Sequence, residues 1–151
     1  MKTKPMIRER KGAAAVEFAL VLPLLFLLVF GIVEWGLYLF NRHVITDASR
    51  EGARKGIVAA DPRVSVNEIK QVVGTYSNAY LVTFADPKPS PVINVSLDGA
   101  ANAACPLGAA FGKYLSVEVR YDYTFLLLPS LTGNILPPLK TIVARTNMTC
   151  E

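Results

Sequence analysis

Residues 13–33 read AAAVEFALVLPLLFLLVFGIV, twenty-one residues with one charge, Glu17. The hydrocarbon core of a bilayer takes roughly 20 helical residues, so this stretch is long enough to cross one, and its reading decides the architecture. On its N-terminal side Lys2, Lys4, Arg8, Arg10 and Lys11 stand against Glu9. That gives the first twelve residues a net charge of +4, which is also the net charge of the whole 151-residue chain. The remainder is neutral, and the pI near 9.2 belongs to a short tail. A nucleic-acid partner requires a basic face on the folded domain, and a remainder with no net charge argues against one. A basic flank kept in the cytoplasm, with the rest across the membrane, fits the positive-inside rule. The chain is 52% hydrophobic and 19% charged, too apolar for a disordered protein.

Beyond the span, Trp35 and Tyr38 stand where an interfacial aromatic belt is expected. Leu37, Phe40, Val44 and Ala48 continue at helical spacing, and no proline follows Pro23 until Pro62. The pattern predicts one helix from about Ala13 to about Val58, roughly 70 Å long. About half of it projects from the membrane. In that half Ala48, Gly52 and Gly56 fall on one stripe, with Ala53 and Ala59 nearby. Small residues in register let another backbone approach closely. The stripe is read as a packing face for the chain's own sheet or for a neighbouring helix, against the plainer reading of a frayed helix end at a C-terminal glycine.

Asp61-Pro62 interrupts the helix. Ser65 with Glu68 three residues on is a capping box, and Val66, Ile69, Val72, Val73, Tyr76 and Tyr80 give the following helix an apolar face. The helix is expected to end before Asp86-Pro87, in a proline-rich loop. The period then changes to two. Val92–Leu97 reads as a short strand, Asp98-Gly99 as a turn, and residues 99–113 as a Gly/Ala-rich loop. Leu115 to Leu127 alternates apolar and polar, the strongest strand signal in the chain. Leu139–Thr149 is a last strand. The fold class is α+β: a long N-terminal transmembrane helix extending into a small extracytoplasmic domain, with a second helix and an antiparallel sheet of about three strands. The expected divisions are a basic cytoplasmic leader (1–12), a membrane helix (13–35) and an extracytoplasmic domain (36–151).

Cys105 and Cys150 both fall on the translocated side. An even number in an oxidising compartment suggests one disulfide, with a pair of free thiols as the alternative. Two cysteines and the single histidine, His43, make no metal-ligand set.

Glu17 is the most informative residue. An acidic group at the centre of a membrane helix costs about 2.5–3.5 kcal/mol, less near the edge, and such groups are usually functional. It could snorkel back toward Lys11 or Arg10. Alternatively, removal of the leader after Gly12 would give Ala13 a free α-amine one helical turn from Glu17. Two staggered helices could then pair the amine of one with the carboxylate of the other and fix their register. Pro23 inside the span is either a kink used in packing or a tolerated proline.

The run Lys11-Gly12-Ala13-Ala14-Ala15-Val16-Glu17-Phe18-Ala19-Leu20-Val21-Leu22-Pro23-Leu24-Leu25 resembles the N-terminal signature of TadE-like proteins of the Tad (tight adherence) pilus system, and Asp47-Ala48-Ser49-Arg50-Glu51-Gly52-Ala53-Arg54 resembles that family's second segment. The resemblance covers about residues 11–57. It implies a pilin-like protein of the bacterial inner membrane, with a leader that a prepilin peptidase cuts after Gly12, and it maps the family's glutamate and aromatic neighbour onto Glu17 and Phe18. Its implied partners are other pilins and pseudopilins, the prepilin peptidase, the pilus assembly machinery and the lipid bilayer. The 118 residues past Val33 suit a minor pilin better than the much shorter major ones. Residues 60–151 carry no family motif.

Two other readings compete. A secretory signal peptide fits the basic flank, but the apolar run is long and no A-x-A site follows it. A permanently anchored periplasmic assembly factor or sensor needs the same span but has no use for Gly12 or Glu17. An enzyme is not expected: there is no G-x-G-x-x-G and no P-loop, no cofactor is implied, and Glu118, Arg120 and Asp122 read as a solvated strand face. Asn94-Val95-Ser96 and Asn147-Met148-Thr149 match the glycosylation pattern only.

Overall fold

The computed structural model describes residues 8–108, 111–133, 135 and 137–151. Most of the basic leader, residues 1–7, lies outside them.

Helix α1 runs from Arg8 to Ile57 without interruption, through Pro23. Fifty residues make it about 75 Å long. Arg63 closes its far end by donating from Nη1 to the carbonyls of Val58 (3.2 Å) and Ile57 (3.4 Å), which have no partners of their own in the last turn. Helix α2 covers Val66–Tyr80. Its capping box is formed: Glu68 N–H donates to Ser65 Oγ at 3.3 Å, and Ser65 N–H donates to Glu68 Oε2 at 2.7 Å. Ile69, Val73 and Ser77 form its buried stripe.

The sheet has four strands, β1 (Val92–Leu97), β2 (Ala100–Ala101), β3 (Tyr114–Thr124) and β4 (Leu139–Thr149), antiparallel throughout in the order β2-β1-β3-β4. The expectation of about three strands missed β2. Asp98 (φ +46°) and Gly99 (φ +86°) turn the chain back sharply and pair Ser96 and Leu97 with Ala101 and Ala100. A two-residue alanine strand has no alternation to read. Strand β3 also stops earlier than the alternation to Leu127 suggests. Phe125 N–H still donates to Pro138 O at 2.9 Å, but the next N–H groups turn away from the sheet to another acceptor, described below.

Leu115, Val117, Val119, Tyr121 and Tyr123 of β3 face inward, while Ser116, Arg120 and Asp122 point out. Ile142 and Ala144 extend the same inner face on β4, opposite Tyr121 and Val119. This face lies on the second half of α1, where Val44, Ile45, Ala48 and Ala53 are buried, and α2 closes the core with Ile69 and Val73. The first half of α1 takes no part in it.

Candidate functional site: the uncovered helix and its neck

From Gly12 to Phe30 almost every residue of α1 is exposed, including Phe18 (62%), Leu20 (75%) and Leu24 (68%). The apolar side chains surround the helix instead of forming one stripe. A helix hydrophobic on every side has to be covered by lipid or by other chains, and here its own domain covers none of the apolar window. Glu17 and Phe18 sit together on this surface, exposed, one turn beyond Gly12-Ala13. A Cβ at Gly12 would touch nothing within 4 Å. The side chains of Arg10 and Lys11, the intrachain partners considered for Glu17, lie outside the described residues.

The small-residue stripe has a different setting. Ala48, Gly52 and Gly56 are buried, with Ala53 beside them, while Ala59 is exposed. A Cβ at Gly52 would run into Val73 Cγ2, and one at Gly56 would run into Leu115 Cδ2 and come within 2.7 Å of Ile69 Cδ1. The neighbours that use the close approach are the chain's own α2 and β3.

Between the two halves lies a neck that sequence reading overlooked. Glu34, the first residue past the apolar run, is 4% exposed. Its Oε1 accepts the N–H of Leu126 and, at 3.0 Å, that of Leu127; its Oε2 accepts the N–H of Leu128 at 2.8 Å. The carboxylate thereby caps the single-turn helix α3 (Leu128–Leu131), whose first N–H groups have no intrahelical acceptor. The signal was present in the sequence. Glu34, Tyr38, Asn41, Ile45, Ala48, Gly52 and Gly56 follow one another at steps of three and four, so the polar residues share a stripe with the small ones.

Around Glu34 the aromatic side chains interlock. Tyr38 stacks on Phe125 (centroids 5.8 Å, planes at 25°) and meets Tyr123 edge-on. Trp35 contacts both Tyr38 and Phe125. Lys140 Nζ lies 5.6 Å from the Trp35 ring centre and 5.3 Å from that of Tyr38, a cation–π arrangement. Tyr38 is therefore a core residue, not the lipid-facing belt residue the sequence suggests; Trp35 stays 42% exposed. Burial pushes the Tyr123 phenol up to about 12, and the Glu34 charge adds to this. Farther up α1, fully buried Asn41 donates from Nδ2 to Val82 O at 2.6 Å and accepts Val82 N–H at 2.9 Å. Ser49 Oγ meets Thr146 Oγ1 at 2.7 Å.

At the far end of the domain Cys105 and Cys150 form a disulfide. Cys150 N–H donates to Lys113 O, and Arg63 Nη2 donates to Glu151 O at 2.5 Å, so the C-terminal end is tied to the loop around residue 105 and to the end of α1. On the outer face of the sheet the carboxylate of Glu118 is held between Arg145 and Arg120, with Arg120 Nε at 2.6 Å. Hydrogen bonds from Arg145, then Arg120, hold its carboxyl below the usual carboxylate range. The solvated-face reading thus needs correction at Glu118: it is 6% exposed, because the two arginine side chains lie over it. His43 is exposed on α1, and among the described residues no group of three or more His, Cys, Asp or Glu is placed to hold a metal ion.

Residues 12–54 match the family model described as TadE-like protein. The match lies wholly within α1. No curated protein and no solved structure matches the chain. The TadE-like segment starts at Gly12 and takes in Glu17, Phe18, Glu34, Asn41 and the first two residues of the small stripe. It leaves out Gly56, α2 and the whole sheet. The matched region therefore spans two physical settings: an apolar half that its own chain leaves uncovered, and a second half that carries the domain.

Proposed function

We propose that the protein is a pseudopilin or minor-pilin-like structural subunit used to assemble a Tad, type IVb-related adhesion pilus. One observation carries the reading. The TadE-like match begins at Gly12, at the head of an apolar helix half that the described residues of its own chain leave uncovered and that holds a single carboxylate, Glu17. Such a surface suits a helix that lies in lipid and then packs among other helices. In this reading the chain is a single-pass inner-membrane protein with its N-terminus in the cytoplasm and its domain outside. A prepilin peptidase removes the leader after Gly12, and Glu17, beside Phe18, pairs with the new α-amine of Ala13 on a neighbouring subunit. Its partners are other pilins, the peptidase, the assembly machinery and the bilayer. The role is structural, not enzymatic.

A second reading, a permanently anchored assembly factor, is favoured by the continuity of α1 from Arg8 through Gly12. A peptide bond inside a helix must be unwound before a protease can take it in extended form. Glycine weakens that point by about 0.5–1 kcal/mol relative to alanine, but does not break it.

The experiment is intact-mass analysis of the membrane-extracted protein, with and without the prepilin peptidase. A chain starting at Ala13 only when the peptidase is present supports the subunit reading. A chain that keeps Met1–Gly12 in both cases moves the protein to the anchored factor. Under the subunit reading, Glu17→Ala inserts normally but fails to enter fibres.

A further inference from the structure

We propose that the turn after β3 is a second membrane element, dipping into the outer leaflet beside α1, with the acyl chains of that leaflet as its partner. The inference rests on the membrane-spanning reading of α1 and goes beyond it. Helix α3 lies alongside the span itself: a Cβ at Gly31 would be 3.7 Å from Leu128 Cδ2. Gly31 belongs to the apolar run, and Glu34, which caps α3, is the residue that ends it. Three residues of helix place the turn about 5 Å below that boundary, the depth at which interfacial elements rest their apolar sides.

Its chemistry fits such a position. From Phe125 to Gly133 there is no charged residue. Phe84 (54% exposed), Leu126 (51%) and Leu127 (36%) join Phe30, Val33 and Leu37 around one largely apolar depression, with Glu34 in its lining. This surface is continuous with the uncovered apolar helix.

The backbone supplies an independent argument. A turn in hydrocarbon has to satisfy its N–H groups within the protein. Those of Leu126, Leu127 and Leu128 go to Glu34, that of Phe125 to Pro138 O, and that of Thr132 to Leu128 O; Pro129 has none. A turn in water would not need a buried carboxylate for this. Trp35 and Lys140 stand directly above, the residue types that settle at a membrane–water boundary.

The test uses the full-length protein in phosphatidylcholine vesicles with brominated acyl chains. Trp35 is the chain's only tryptophan, so single probes are placed in a Trp35→Phe background. Leu126→Trp is expected to emit at shorter wavelength, to lose most of its emission to brominated lipid and to resist aqueous iodide. Val92→Trp, on the outer face of the sheet, is expected to do the reverse. Leu24→Trp reports the span. If Leu126→Trp is quenched by iodide and spared by brominated lipid while Leu24→Trp is quenched by the lipid, the inserted turn is refuted and the span stands. If Leu24→Trp is also spared, the spanning reading fails and takes the proposal with it. Protection of Leu126→Trp from both quenchers means that protein, such as a second copy, covers the turn, which also overturns the proposal. If Leu126→Trp does not form its disulfide, Phe84→Trp, on the facing loop, gives the same readout.

Discussion

Replacing Glu34 with alanine removes the acceptor of three backbone N–H groups at once. That of Leu128 is buried, and without a partner it carries a full desolvation cost of about 1–3 kcal/mol. Those of Leu126 and Leu127 are partly buried and regain water in part, adding about 0.5–1 kcal/mol each. Relief of the carboxylate's own burial offsets some of this, which leaves an expected loss of about 2–4 kcal/mol. For a domain of roughly 100 residues that corresponds to a fall in Tm of about 8–16 °C. Glu34→Gln keeps one acceptor oxygen but turns an NH2 donor toward the other N–H groups, so about half the loss is expected. The assay is near-UV circular dichroism of the full chain in detergent, which reads the Trp35, Tyr38 and Tyr123 packing beside the cap, together with amide exchange over residues 125–132. Asp47→Ala, which removes only an exposed partner of Arg50 at 3.7 Å, is the control and should cost less than about 0.5 kcal/mol. Unchanged protection of the Leu126–Leu128 amides in Glu34→Ala, with a melt within about 2 °C of the parent, would refute the capping argument.

The remaining predictions concern the domain. Gly56→Ala forces a methyl group into Leu115 and Ile69 and should cost about 1–3 kcal/mol, whereas Gly36→Ala, with open space around it, should be neutral or stabilising by about 0.5–1 kcal/mol; paired melts check the difference. Reducing the disulfide releases a closed loop of 45 residues and should cost about 4 kcal/mol in the chain-entropy picture, seen as a Tm lower by about 16 °C in dithiothreitol. Because the folded-state pKa of Glu118 is depressed, its contribution is fully present above the unfolded value near 4.3 and is lost as pH falls through the folded one. Glu118→Gln should therefore flatten the acid limb of stability below about pH 4.3, measured by urea melts across pH 3–6. An unchanged slope would mean that Arg145 and Arg120 do not hold the carboxylate in solution.

Much of the fold was legible because the period of the apolar pattern changes with the structure. The apolar run gave α1, Ser65 and Glu68 marked the start of α2, and the alternation from Leu115 gave β3. Elements too short to show a period were hidden, β2 most plainly. The end of β3 was hidden for a different reason. Phe125 to Leu128 is as apolar as the strand before it, and only the distant acceptor, Glu34, shows that the backbone has left the sheet. The site was legible in the same uneven way. The stripe of Ala48, Gly52 and Gly56 is a local pattern. The partners of Glu34 and Asn41 lie about 90 and 41 residues away, and no spacing rule along the chain reaches them.

Glu34 also marks where one helix changes its physical task. Below it, the apolar side chains of α1 stay exposed among the described residues, touched by the rest of the domain only near Gly31, so their cover can change without changing the fold. Above it, Gly52 and Gly56 leave no room for a Cβ, so the close packing there already resists a shift. Direction is added by Glu34, Asn41 and Ser49, each hydrogen-bonded to a different part of the domain and spread over about 22 Å of helix. To slide the domain by one turn, about 5.4 Å, all three ties would have to break together. Under the proposed subunit reading, a helix that leaves lipid to join other helices needs its domain to arrive in fixed register with it. The close packing and the three polar ties set this register within the single chain, before any neighbour is met.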